Sequence, residues 1–216
     1  EETKYFYDSN SGNITEVKKT INNVDYKNNY TYDLDKLKSI SHNGFTYNFT
    51  YDSFNRPDQV LVGSVALITN SYDTTTGLLN LLTYGNSDTI SYSYDEYQRV
   101  IRKANNDGLV FRFSYDNEGN LTSLTRLQEA VIGQESSESI LETTYYFYDF
   151  LSRPVKSINT NGLSTLFTYD NLGRVSALTN TISSTSGTTS YKNEYVYGDQ
   201  YIPGQIPGQI YNVKLN

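Results

Sequence analysis

The chain has 216 residues, with 24 acidic against 17 basic side chains and a net charge of −7 at pH 7. That balance argues against a nucleic-acid partner, because phosphate binding calls for clustered Lys and Arg. Cysteine is absent, which excludes disulfides, thiolate chemistry and Cys-bound metals, and no apolar run approaches the length of a membrane span.

Bulky apolar area comes from 22 Tyr and 9 Phe, so aromatics rather than Leu and Val are expected to carry the core. Abundant Asn, Thr and Ser favour strands and turns over helices. There is no Met, and the chain is expected to be a piece of a longer polypeptide, whose remainder is its first expected partner.

Along the chain one dipeptide returns in phase. Tyr-Asp occurs at Tyr7-Asp8, Tyr32-Asp33, Tyr51-Asp52, Tyr72-Asp73, Tyr94-Asp95, Tyr115-Asp116, Tyr148-Asp149 and Tyr169-Asp170, most often 21 residues apart. Tyr195-Val196-Tyr197-Gly198-Asp199 is a degenerate ninth copy. Two residues before each Tyr stands another aromatic, except at Asn70, so the pair shares one face of a strand. Asp then opens a turn, where a short carboxylate accepts backbone N–H groups. Four residues on comes Arg at 56, 99, 153 and 174, with Gly77 and Asn120 in that place elsewhere. Each such Arg is expected to pair with its own Asp or with that of a neighbouring repeat.

An apolar pair three apart follows: Ile14/Val17, Leu37/Ile40, Pro57/Val60, Leu78/Leu81, Leu121/Leu124, Val155/Ile158 and Val175/Leu178. A flat strand would space such a pair by two, so the offset predicts a bulge just after the turn. Asn43-Gly44, Asp107-Gly108 and Asn161-Gly162 are hairpin turns at the opposite end of the units. Two stretches break the rhythm. Residues 126–143 and 180–190 are expected to be long hairpin inserts, the first protruding with Gly133–Ser139 at its tip. IPGQ occurs twice between Ile202 and Gln209, and its prolines predict the end or an edge of the regular sheet.

The fold class is therefore all-β: antiparallel hairpins stacked into a curved or spiralling sheet, because twisted sheets beyond about ten strands curl. Residues 1–199 form the repeat segment and 200–216 a Pro/Gly-containing C-terminal segment. Open edges make edge-to-edge association of the chain an expected property.

Candidate chemistry is sparse. The turn aspartates read as structural. His42, the one histidine, sits beside the Asn43-Gly44 turn and cannot build a two-His metal site alone. Glu135 and Glu138 read as solvating charges in the insert. No cofactor, metal or catalytic site is expected, and the chain is not expected to be an enzyme. Tyr145 and Phe147 lie on the face opposite Tyr146 and Tyr148, which makes that unit aromatic on both sides. They are the candidate glycan contacts of the alternative reading, a carbohydrate-binding or adhesion module.

Tyr169-Asp170-Asn171-Leu172-Gly173-Arg174-Val175, with Asn161-Gly162 upstream, resembles the YD repeat of the Rhs family. That family includes bacterial wall-associated and polymorphic toxin proteins, the B and C subunits of insecticidal toxin complexes, and the teneurins. The likeness runs from Tyr5 to Tyr197. It implies a sheet spiralling into a hollow shell, secreted or at the cell surface, which in several members encloses a toxin domain from the C-terminal side of the same protein. The family's core ending carries an Asp-Pro dipeptide linked to self-cleavage. This chain has none, so the resemblance gives no ground for autoproteolysis here.

Overall fold

The computed structural model describes residues 1–197 and 210–215, with 211–215 described by backbone alone. All regular structure there is strand, apart from one 3-10 turn at Glu135–Ser137. The chain divides into two compact units, Glu1–Ser93 and Tyr94–Asn216.

The first unit is built from β1 (Glu2–Tyr7), β2 (Ile14–Ile21), β3 (Val24–Asp33), β4 (Lys36–His42), β5 (Phe45–Tyr51), β6 (Pro57–Val62), β7 (Val65–Tyr72), β8 (Leu79–Tyr84) and β9 (Thr89–Tyr94). Each strand pairs antiparallel with the next. The second unit runs β10 (Val100–Asn105), β11 (Leu109–Tyr115), β12 (Leu121–Glu129), β13 (Glu138–Tyr148), β14 (Pro154–Asn159), β15 (Leu163–Tyr169), β16 (Val175–Ser184), β17 (Gly187–Tyr197) and β18 (Ile210–Leu215). It repeats the same meander.

The predicted bulge is present and lies at the repeat tyrosine. Ser114 faces Ser123 but Tyr115 faces Leu121, so Thr122 is the extra residue. The same slip occurs at Tyr7, Tyr32, Tyr51, Tyr72, Tyr148, Tyr169 and Tyr197. One inserted residue turns a spacing of three into a shared face: Leu121 lies opposite Tyr115 and Leu124 opposite Phe113. Five of the seven expected apolar pairs sit this way. The pair Leu78/Leu81 is corrected to Leu79/Leu82, opposite Tyr72 and Asn70. Its turn is one residue longer, closing from Asp73 N to Leu78 O instead of four residues on, so Leu78 rather than Gly77 takes the place of Arg. Val155/Ile158 is likewise corrected to Pro154/Ser157; Ile158 instead faces Tyr145.

Each unit is a sheet of hairpins, and the half-buried aromatics show it. Among the described residues the buried apolar side chains are Ala104, Val110, Leu127 and Ala177, so the expectation of an aromatic-filled core is corrected. A ring on a single sheet layer is covered by its neighbours along the sheet and keeps part of its edge in water.

Ala104, Val110 and Leu127 lie together on the face opposite Phe111 and Phe113. On the same face, Arg102 and Arg112 pair with Glu135 and Glu138 of the insert. Residues between β12 and β13 do not protrude freely. The loop closes on itself through Ala130 N to Ser137 O, and Glu135 reaches Arg112 on β11. The second insert is a plain long hairpin, paired out to Ser184 and Gly187. The IPGQ stretch lies outside the described residues. After it, β18 pairs antiparallel with β17.

Candidate functional site

The recurring site is built at the turn after each repeat tyrosine. Asp52 Oδ1 accepts the backbone N–H groups of Phe54 and Arg56, both at 2.9 Å, and Oδ2 accepts Arg56 Nε at 2.7 Å. The backbone closes from Asp52 N to Arg56 O at 2.9 Å. Asp95 with Arg99, Asp149 with Arg153 and Asp170 with Arg174 repeat this arrangement. The short Asp side chain places both oxygens over its own turn, so the turn is fixed by one carboxylate.

Held this way, the guanidinium projects onto the next repeat. Arg56 lies over the Tyr72 ring at 4.1 Å, Arg99 over Tyr115 at 4.6 Å, Arg153 over Tyr169 at 4.4 Å and Arg174 over Tyr197 at 4.2 Å. Phe54 and Tyr97 flank Arg56 and Arg99 from their own turns. Arg56 and Arg99 also donate to the Gly77 and Asp116 carbonyls of the following turns. The Arg therefore pairs with its own Asp and reaches its neighbour through a ring and a backbone oxygen.

The tyrosine answers in the other direction. Tyr51, Tyr72, Tyr115, Tyr148, Tyr169 and Tyr197 donate their hydroxyls to the carbonyls of Leu37, Pro57, Val100, Leu121, Pro154 and Val175, at 2.6–2.9 Å. The acceptor opens the strand after the preceding turn in every case but Leu37, which is the second residue of β4. A phenylalanine would fill the same space and leave that carbonyl without this donor. This hydroxyl ladder was not foreseen from the sequence, since its acceptor is backbone and no residue type marks it.

Some predicted positions depart from this clasp. Asp8 and Asp73 open longer turns and accept Ser11 and Thr76, backbone and hydroxyl, in place of Arg. Asp33 pairs with Lys36 across a two-residue turn in which Leu34 takes φ +55°. Tyr94, by contrast, closes β9 directly before the Asp95 turn, which carries the full Asp–Arg arrangement. Asn120 stands where Arg stands elsewhere: its N–H and side-chain amide bond Asp116 at 2.7 and 3.0 Å.

Electrostatics follow the bonding. Hydrogen bonds from the Arg153 guanidinium, then its N–H, hold Asp149 below the usual carboxylate range against the opposing effect of burial. At Asp52, Asp95 and Asp170 burial is the largest single influence and opposes the charge, but the combined Arg bonds outweigh it and the carboxyl is again lowered. Burial pushes the Tyr115, Tyr148 and Tyr169 hydroxyls up.

Two further groups lie away from the clasp. Tyr145 and Phe147 share the opposite face of β13, and are 46% and 48% exposed. Under the first insert, Arg102 pairs with Glu129 and Glu138, and Arg112 with Glu138 and Glu135. Glu129 and Glu138 have side chains 1% and 6% exposed, so the reading of Glu138 as a solvating charge is corrected. Glu135 keeps its contact with water but is bonded to Arg112 at 2.8 Å. Burial of such charges requires pairing, and the cluster supplies it. His42 bonds the Asn28 side chain, and Asn43 Nδ2 lies 2.7 Å from its Nε2.

A family model described as teneurin YD-shell matches residues 58–180. The crystal structure of TcdB2-TccC3-Cdc42 superimposes with a TM-score of 0.69 at 16% identity, over 89% of this chain and 12% of that one. That of TcdB2-TccC3 gives 0.69 at 17%, over 88% and 12%. The Tc holotoxin pore of Photorhabdus luminescens, with a substituted TccC3, gives 0.66 at 16%, over 87% and 11%. At such identities the likeness is one of fold, and the chain spans about an eighth of the length of those proteins. A search of curated protein sequences finds no match.

Proposed function

Because the chain belongs to the teneurin YD-shell family, we propose that it serves as a non-enzymatic stretch of shell wall in a larger secreted or surface protein that encloses or carries a toxin domain. The observation that carries this reading is the clasp. At each complete junction the polar groups of Asp, Arg and Tyr are spent on one another and on backbone, in phase along the chain, which is how a repeat wall transmits rigidity from one hairpin to the next. A site built for turnover would leave a base, a nucleophile or an unpaired acid at hand.

Limited proteolysis of the full-length parent tests enclosure. A downstream domain inside the wall resists protease until the wall unfolds, while the same domain expressed alone is cut at once. Equal cleavage rates would remove the enclosing role.

A second reading, carbohydrate binding, is supported by the exposure of Tyr145 and Phe147 on one face. Ring faces in that state suit stacking on sugars. It predicts saturable binding on a glycan array that is lost in the Tyr145→Ala/Phe147→Ala double variant, and a blank array ends it.

A further inference from the structure

One junction of the second unit lacks its guanidinium. Tyr148 donates its hydroxyl to Leu121 O at 2.9 Å, as its counterparts do. The turn before it, Asp116–Asn120, closes from Asp116 N to Asn120 O in the same way as the Arg-bearing turns. Yet Asn120 is too short to reach the ring, and among the described residues no basic side chain lies over Tyr148. Its amide goes to Asp116 Oδ2 at 3.0 Å and to Ser152 Oγ at 3.1 Å.

A cavity of about 580 Å³ opens at this place, lined among others by Asp116, Glu118, Asn120, Tyr148, Asp149 and Phe150. Glu118 occupies the position that Phe54 and Tyr97 hold beside Arg56 and Arg99. It is exposed, and has no ionic partner among the described residues. Asp149 is committed to Arg153, and Arg99 reaches only the backbone carbonyl of Asp116. The Asp116 carboxylate therefore has no cation of its own. Phe150, 93% exposed, stands at the rim.

We propose that this cavity is a binding site for an arginine side chain presented by another polypeptide segment. Four sister junctions in the same chain define the ligand: each places a guanidinium 4.1–4.6 Å from the equivalent ring, against the equivalent carboxylate. Here the ring and carboxylate remain, an extra carboxylate replaces the flanking aromatic, and the guanidinium is missing. Arg suits the site better than Lys, because a planar cation stacks on a ring while its edge donates to a carboxylate. The volume exceeds that of a guanidinium and accommodates the stem and flanking backbone of a peptide. Only the source of the arginine, a chain lying against the wall, rests on the shell reading; the site itself rests on geometry.

The test uses the intact chain, with N-acetyl-arginine amide, its lysine counterpart and a blocked Gly-Arg-Gly peptide as probes, followed by NMR of the Tyr148 ring. The expected result is saturable shifts with both arginine probes, tighter for the peptide, and several-fold weaker binding for lysine and for Glu118→Gln. Asn120→Arg supplies the missing group from within and is expected to abolish binding while raising the urea midpoint. Should that variant fail to fold, Glu118→Gln and Phe150→Ala, both at exposed positions, decide the matter. No saturation in the unsubstituted chain overturns the proposal, and so does saturation that Asn120→Arg, or the Glu118 and Phe150 pair, leaves unchanged. A negative result here leaves the protease test of enclosure standing, and the reverse also holds.

Discussion

The first two repeats and the last two full copies carry the same Tyr-Asp dipeptide and are held very differently. At Tyr7-Asp8 and Tyr32-Asp33 no Arg follows the Asp, and the turns close on Ser11 or on a tight Leu34 bend. Tyr7 is 59% exposed, and every residue of β1 is exposed. At Tyr148-Asp149 and Tyr169-Asp170 the Asp grips an Arg, and that Arg covers the tyrosine of the next repeat. The dipeptide marks a hairpin end. Cohesion between neighbouring hairpins comes from the residue four places later and from the hydroxyl that answers it.

Glycine substitutions give the sharpest contrast between these regions. Gly162 has φ +86°, and a Cβ there would meet Ser183 O at 2.1 Å, an oxygen held by the backbone. Gly162→Ala is expected to cost about 3 kcal/mol, from left-handed strain plus a clash with no flexible neighbour to yield. Gly12 has φ +74° but open space around it, so Gly12→Ala is expected to cost about 1 kcal/mol, from strain alone. Urea midpoints of the two variants decide this, and equal losses would mean that the early hairpins are as tightly set as the later ones.

Removing single hydroxyls comes next in size. Tyr169→Phe takes the donor from Pro154 O, now bonded at 2.6 Å, and is expected to cost about 1 kcal/mol. Tyr7→Phe removes a hydroxyl for which the described residues hold no acceptor, and is expected to stay within about 0.5 kcal/mol of the unsubstituted chain. Similar losses at both positions would show that the ring, and not its hydroxyl, joins the repeats.

The sequence carried the hairpins, the phase and the bulge plainly, because each has a residue signature: alternating aromatics, Asn-Gly turns and an apolar spacing of three. It misled where a local pattern fitted two registers. Val155 and Ile158 look like the pair after a bulge, yet polar Ser157 and Pro154 occupy those places, since the ladder counts from Arg153. Tertiary bonds were beyond its reach. Arg102 meets Glu138 across 36 residues and Arg112 meets it across 26, and nothing in spacing announces such a meeting. Nor does a carbonyl acceptor announce itself, so the tyrosine ladder and the vacancy over Tyr148 emerged from the structure.

The smallest expected effect separates the two kinds of aspartate by what lowers them. Asp8 is held down chiefly by the Ser11 and Asn10 backbone N–H groups, whereas Asp149 is held down chiefly by the Arg153 side chain. A carboxyl lowered in the folded state stabilises the fold at pH values above the ordinary unfolded value, about 3.9, and that contribution is lost as pH falls through the lower folded value. Both aspartates therefore weaken the chain on acidification. Tyr169, raised by burial, works at the other end: its contribution is complete below the ordinary tyrosine value of about 10 and is lost as pH rises through the folded one. Salt distinguishes the acidic pair. At about 1 M the Debye length falls to about 3 Å, which weakens even a half-buried ion pair more than a bond to a neutral N–H. Carboxyl-carbon NMR titrations at low and high salt are expected to move the Asp149 transition toward its ordinary value and to leave Asp8 nearly in place. A common shift would mean that the guanidinium adds little beyond backbone bonds of the kind the Asp8 turn also has. The contrast between clasped and unclasped repeats would then lie in the tyrosines alone.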